Sequence, residues 1–449
     1  MRIRVTLLLL VLSLCTALPL KAEQLEYKNA LALVLSTHGN VKAAEQNIER
    51  FKHEASANTG LHLPTLSVDA KYTHMNDELA LKASLPVMGF PVNINLPVQD
   101  QDFLRATANI SWPLFTGGAQ SAAVSAGQAR YSDSQADFDM LQNNLAHDFT
   151  DKYFALQLAH EAAALRREVY QSLKQHYENT IRKEKVGMVP KVESMHAEVS
   201  LNDALRNYNQ ALRDIEIASA ALKSLLPVTG EPVPVTPLFV LPPDKIEPLE
   251  HFITSSQQHS PSAKKLEHMA ELAKAGVSAS RATYMPTLYA YGSYELYRDD
   301  LTMLDPDWFI GIGANWKLFE GGTGHNKYMA AKSTERQVAH KSEQTKKDLA
   351  TLSEVYYRQL EKAWEQYSSA AGTLDFTREY LRVRTKAFEG GFATSLDVVD
   401  AETALSKNRL DILVAAYEFD IALSRLLALA GEHKRFDQYI NSIYAKIAK

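Results

Sequence analysis

The phrase Trp-x-Leu-Phe-x-Gly-Gly occurs twice in this chain, once from Trp112 to Gly117-Gly118 and once from Trp316 to Gly321-Gly322, 204 positions apart. In both places an alternating run leads into the phrase, the Gly-Gly pair breaks it, and a long stretch without proline follows. A strand that feeds a very long helix is the local structure this pattern predicts. Upstream, Leu63-Pro64-Thr65-Leu66 answers Met285-Pro286-Thr287-Leu288 at an offset of 222, so the first copy holds 18 additional residues between its landmarks. They fall in one loop, residues 76–103, which has 28 residues where residues 298–307 have 10. The 204 offset then persists through Tyr153/Tyr357, Gly187/Gly391 and Glu198/Glu402. The chain reads as an internal duplication, and a repeated unit that buries its apolar face against its sibling is not expected to fold alone.

That reading divides the chain. Residues 1–22 carry Arg2 and Arg4, an apolar run from Val5 to Leu14, and small residues ending at Ala22, the layout of a secretory signal peptide. Cys15 follows the bulky Leu14, where a lipid-attachment signal wants a small residue. Residues 23–226 form the first structural repeat, a helix, two strands and a long helical hairpin, and residues 249–430 form the second. Between them, residues 227–248 hold seven prolines and read as an extended linker, while residues 431–449 are charged and expected to be peripheral. Loss of the leader removes the single cysteine and takes the formal charge from −5 to −8, which excludes thiol chemistry and offers no basic tract to nucleic acid.

The expected strands are amphipathic. Leu66, Val68, Ala70 and Tyr72 alternate with Ser67, Asp69 and Lys71, and Leu104, Ala106, Ala108, Ile110, Trp112 and Leu114 alternate with Arg105, Thr107, Asn109 and Ser111. In the second copy Leu288, Ala290, Tyr294 and Leu296, then Ile310, Ile312, Ala314 and Trp316, mark the apolar face. Each run is about 12 residues, enough for a tilted strand to cross a bilayer, and no apolar run after the leader is long enough for a transmembrane helix. A half-buried sheet in a soluble sandwich would alternate in the same way. The rest of the chain is helices whose narrow apolar stripes already require one another, so lipid is the simpler cover, with Trp112, Trp316 and Trp308 at the interfaces. Residues 119–183 and 323–388 are expected as helices of roughly 100 Å, with coiled-coil seams through Leu145, Phe149, Tyr153 and Leu349, Leu360, Tyr367. Each turns at a glycine-bearing tip, Val186-Gly187-Met188 or Gly390-Gly391-Phe392, into a return helix over residues 191–226 or 395–430.

Catalytic, cofactor and metal motifs are not found. The fourteen histidines are scattered, His160-Glu161 has Ala164 where a zinc-binding helix needs a second histidine, and neither Gly-Gly pair continues into a phosphate loop.

Leader, repeats and seam together resemble the TolC-type outer membrane efflux protein family, and Leu396-Asp397-Val398-Val399-Asp400-Ala401 is similar to the phrase that opens the family's inner return helix. The resemblance implies an α+β membrane protein. Three chains would build a 12-stranded β-barrel, four strands per chain, continued by a long α-helical coiled-coil barrel across the periplasm. It also implies an outer membrane channel of a tripartite efflux or type I secretion system, a passive exit duct that docks on a periplasmic adaptor protein and an inner-membrane pump. Strand counting fits: four cannot close, eight leave an interior filled by side chains, and twelve leave a channel. By the same resemblance, the tips Val186, Gly187, Met188 and Gly390, Gly391, Phe392 are adaptor docking sites, although Gly390 departs from the family pattern. The acids Asp397 and Asp400, a turn apart with no basic residue between Lys386 and Lys407, are expected to form a periplasmic gate. Helix capping by Thr394 and Asp397 is the competing explanation. The rival from another class is a periplasmic coiled-coil adaptor or scaffold with no membrane-spanning part, which leaves four amphipathic strands unexplained.

Overall fold

The computed structural model describes residues 23–227, 230–298 and 306–448, so the leader and Cys15 lie outside the described residues. In chain order the elements are β1 (Glu23–Leu25), α1 (Tyr27–Thr37), α2 (Gly39–Gly60), β2 (Thr65–His74), β3 (Leu79–Val87), β4 (Phe90–Gln99) and β5 (Asp102–Phe115). The first hairpin is α3 (Ala119–Lys185) and α4 (Lys191–Lys223), followed by β6 (Pro232–Pro234), β7 (Phe239–Val240), α5 (Leu249–Gln258) and α6 (Pro261–Ala282). Then come β8 (Thr287–Arg298), β9 (Trp308–Asn315), the second hairpin α7 (Thr323–Glu389) and α8 (Ser395–Ala430), and finally α9 (Phe436–Ile440) and β10 (Lys446–Ile447). The chain separates into two compact units, one comprising Ala43–Met140 and Gln258–Asp348, the other the remaining N-terminal, central and C-terminal stretches.

The first of these holds an antiparallel sheet in the order β2-β5-β8-β9. Its register places like with like. Leu66 faces Ile110, Val68 faces Ala108 and Tyr72 faces Leu104 across β2 and β5, while Ala290 faces Ile312 and Tyr294 faces Trp308 across β8 and β9. On the opposite face Ser67 meets Asn109 and Asp69 meets Thr107, and the Arg105 guanidinium donates to both Glu295 oxygens at 2.9–3.1 Å. Among the described residues the apolar face has no protein cover: Leu66, Ile310 and Ile312 are 74, 79 and 77 % exposed. Among the described residues no helix is long and apolar enough to cross a membrane.

At the seams, the indole N–H of Trp112 donates to the His62 carbonyl at 3.0 Å and that of Trp316 to the Tyr284 carbonyl at 3.1 Å, so each strand end is tied to the end of the preceding helix in the same way. Gly117, Gly118, Gly321 and Gly322 all have positive φ, which reverses the chain from strand into helix at little cost to glycine alone. Their surroundings differ. A Cβ on Gly117 would lie 2.6 Å from Met285 Cβ and 2.8 Å from the Ala282 carbonyl, whereas one on Gly321 would enter open space.

Residues 76–103, read from the sequence as a loop, instead form the paired strands β3 and β4. In the other unit the Pro-rich linker is extended but not solvated. Leu238, Phe239, Val240 and Leu241 are essentially inaccessible, β6 pairs with β1, and β7 pairs with β10. The C-terminal stretch, expected to be peripheral, delivers Phe436 into a ring cluster with Tyr27, Phe154 and Phe239 at centroid distances of 5.2–6.4 Å. Apolar burial of aromatic rings outweighs the charge of the flanking residues. The Tyr153 hydroxyl donates to the Leu25 carbonyl at 2.6 Å and accepts from the Val235 and Thr236 amides, which fixes the linker to α3.

Candidate docking tips and acidic gate

Both hairpin tips use one solution to helix termination. At the first, Gly187 sits at φ 78° and the Met188 amide reaches back to the Lys183 carbonyl at 2.9 Å; at the second, Gly391 sits at φ 81° and the Phe392 amide reaches Ala387 at 2.8 Å. These are left-handed C-caps that satisfy the last carbonyls of α3 and α7. Because the turn consumes the backbone groups, its side chains are left facing water: Val186, Met188 and Phe392 are 70, 68 and 91 % exposed. Gly390, which stands where the first tip has Val186, makes room for a ring, since a Cβ there would meet Phe392 at 3.1 Å. The Lys183 ammonium donates to the Phe388 and Glu389 carbonyls at 2.8 Å each, so α3 holds the end of α7.

Asp397 forms a complete capping box. Its amide donates to Thr394 Oγ1 at 3.2 Å, and its carboxylate accepts from the Thr394 amide at 2.9 Å and hydroxyl at 2.8 Å. It also pairs with Arg384 of α7 at 3.3 Å. The Thr394 amide, then its hydroxyl and the Arg384 charge, hold this carboxyl below the usual carboxylate range. Arg384 escaped the sequence reading because it lies just outside the base-free stretch and across the turn. Asp400 is exposed and among the described residues has no ion pair.

A buried polar contact between the two hairpins was not anticipated. His176 Nε2 and Ser395 Oγ are 2.8 Å apart, the Ser395 amide donates to Glu193 at 2.6 Å, and Ser172 donates to Glu402 at 2.7 Å. Burial holds the His176 imidazole below its usual range and pushes the Glu402 carboxyl up. The sequence signal available was the pairing of a polar residue with seam positions in α3 and α8, which is weak because such residues are common on helix faces. Among the described residues no group of three or more His, Cys, Asp or Glu side chains could hold a metal ion.

Comparison with known proteins follows this geometry. Residues 30–227 and 252–432 match the family model described as outer membrane efflux protein. The chain is 25 % identical to the alkaline protease secretion protein AprF of Pseudomonas aeruginosa, over 74 % of this chain and 70 % of that one. It is 26 % identical to protein CyaE of Bordetella pertussis, over 72 and 69 % of the two chains. The fold is similar to that of the Neisseria gonorrhoeae outer membrane channel MtrE in its open state, with a TM-score of 0.72, 19 % identity, and coverage of 91 and 89 %.

Proposed function

The chain belongs to the outer membrane efflux protein family, and from that premise we propose that three copies form a passive exit duct through the cell outer membrane and into the periplasm. The observation that carries this reading is the four-stranded sheet that, among the described residues, has an uncovered apolar face and two free edges, β2 and β9. A free edge in lipid leaves amides and carbonyls without partners, at several kcal/mol for each group. Pairing β9 of one copy with β2 of the next removes both edges, and three copies give a 12-stranded barrel with a channel. The polar face with Arg105 and Glu295 lines that channel, and the two hairpins, related by internal duplication of residues 23–226 and 249–430, continue it as a coiled-coil barrel.

The tips then meet a periplasmic adaptor protein, and an inner-membrane pump supplies the energy. AprF is named for secretion of a protease, which favours type I secretion of a protein as the cargo route over efflux of small molecules. Detergent extracts of outer membranes should contain a heat-modifiable species with three times the chain mass by native mass measurement. A stable monomer overturns the proposal.

The same assembly brings six carboxylates, Asp397 and Asp400 from each copy, around one axis at the periplasmic mouth. Planar-bilayer recordings are expected to show cation selectivity and block by a trivalent cation added from the periplasmic side. Asp397→Ala with Asp400→Ala should abolish the block. Because Arg384 already offsets Asp397, Asp400→Ala alone is expected to account for most of the loss. A double variant blocked as tightly as the parent leaves Asp397 as a helix cap and nothing more.

A further inference from the structure

The β3–β4 hairpin is amphipathic, and among the described residues nothing covers its apolar side. The register puts Leu81 opposite Leu96, Ala83 opposite Ile94 and Leu85 opposite Val92 on one face, with Lys82 opposite Asn95 and Ser84 opposite Asn93 on the other. The turn is apolar too: Met88, at φ 52° before Gly89 at φ 85°, is 96 % exposed, and Phe90 is 75 % exposed. Among the described residues β3 and β4 pair only with each other. A lone two-stranded ribbon with a wet apolar face is marginal at best, so something must cover it.

Bilayer tails are disfavoured by what lies at its root. β2 and β5 pair over ten positions, Thr65 to His74, which already equals the ~9–11 residues a tilted strand needs to cross the hydrocarbon. The last of these positions form a polar collar: Asp102, opposite His74, accepts from the Tyr72 hydroxyl at 2.6 Å and lies 2.7 Å from the His74 imidazole, and Asp77, Glu78 and Asp100 are close by in the sequence. The hairpin therefore begins past the apolar band, at the end of the sheet remote from α2 and α3, and its apolar face is a second surface rather than an extension of the first. Among the described residues each chain has one such hairpin.

The geometry points to other copies of this chain as the cover: three β3–β4 hairpins pack apolar face to apolar face above the barrel mouth. This rests on the trimeric reading above. Each hairpin offers on the order of 500 Å² of apolar surface, less than the ~800 Å² per partner of a free-standing interface, so they associate only because the barrel already holds them together. The polar face, with Lys82, Asn93 and Asn95, is left to water. Cargo leaving the duct would pass a collar of Leu, Val and Phe side chains.

Single cysteines test this, because the one native cysteine, Cys15, falls in the leader. In cells expressing the full chain, Val92→Cys on the apolar face should be joined between copies by a short bis-maleimide, approaching two of every three chains, and Asn93→Cys on the polar face about fivefold less. Native mass of the unlinked variants is measured in parallel. An intact trimer in which Val92→Cys is not linked, or is linked no better than Asn93→Cys, overturns the packed hairpins while leaving the duct standing. A monomer overturns the trimeric reading itself.

Discussion

Replacement of Gly391 by Trp, or of Gly187 by Trp, is expected to abolish export while leaving the trimer in the outer membrane. A Cβ at either glycine meets nothing within 4 Å, so the direct cost is that of a left-handed backbone, about 1–2 kcal/mol, confined to a two-residue turn. The aromatic cluster and the β6 and β7 pairings lie elsewhere in that unit and are untouched. Export is far more exposed to the change if the exposed Val186, Met188 and Phe392 are a docking surface as proposed, because an indole beside them would fill the space a partner must occupy. Gly187→Asn and Gly391→Asn separate docking from capping, since Asn tolerates the same backbone without the bulk. Both are expected to export normally. Cargo in the medium and heat-modifiable trimer in the membrane fraction are the two readouts. Normal export by the Trp variants refutes docking at the tips, and loss of trimer together with export assigns the glycines to capping alone.

Gly117→Val is expected to remove the folded protein, whereas Gly321→Ala at the corresponding seam should be tolerated. Valine at Gly117 incurs the left-handed backbone cost and also drives its Cβ to 2.6 Å from Met285 and 2.8 Å from the Ala282 carbonyl, so α6 must move. Overpacking of that kind adds about 1–3 kcal/mol to the ~1–2 kcal/mol of backbone strain, a large fraction of a domain's net stability. At Gly321 only the backbone strain applies. Trimer yield and the thermal unfolding midpoint should fall steeply for the first variant and by a few degrees for the second. Equal loss in both would mean that backbone strain, not the approach of α6, dominates at the seams.

The two seams look alike in sequence, and that likeness made the fold legible. Long strands and helices announce themselves by period, and the Gly-Gly pairs mark where one period yields to the other. What stayed hidden involves contacts between distant stretches or short elements inside a surplus. Leu81, Ala83 and Leu85 alternate with Lys82 and Ser84, but they sit in the 18 residues by which one copy exceeds the other, and a length surplus invites assignment as a loop. The prolines of residues 227–248 reveal an extended backbone and conceal that Leu238 to Leu241 are inaccessible. At the site, the cap at Thr394 and Asp397 was readable from spacing, while Arg384 and His176 act across helices, where sequence distance carries no information.

Strand β7 has its hydrogen-bonding partner at Lys446 and Ile447, more than 200 residues further along the chain. A chain delivered vectorially from its N-terminus therefore holds Phe239 and Val240 without a ladder until Lys446 and Ile447 arrive, however early β1 meets β6. Contacts of such long sequence separation form late, after the loop entropy has been overcome. The unit that holds β7 thus stays incomplete until residues 446 and 447 are present. A truncated product should remain open to periplasmic proteolysis instead of inserting as a leaky pore.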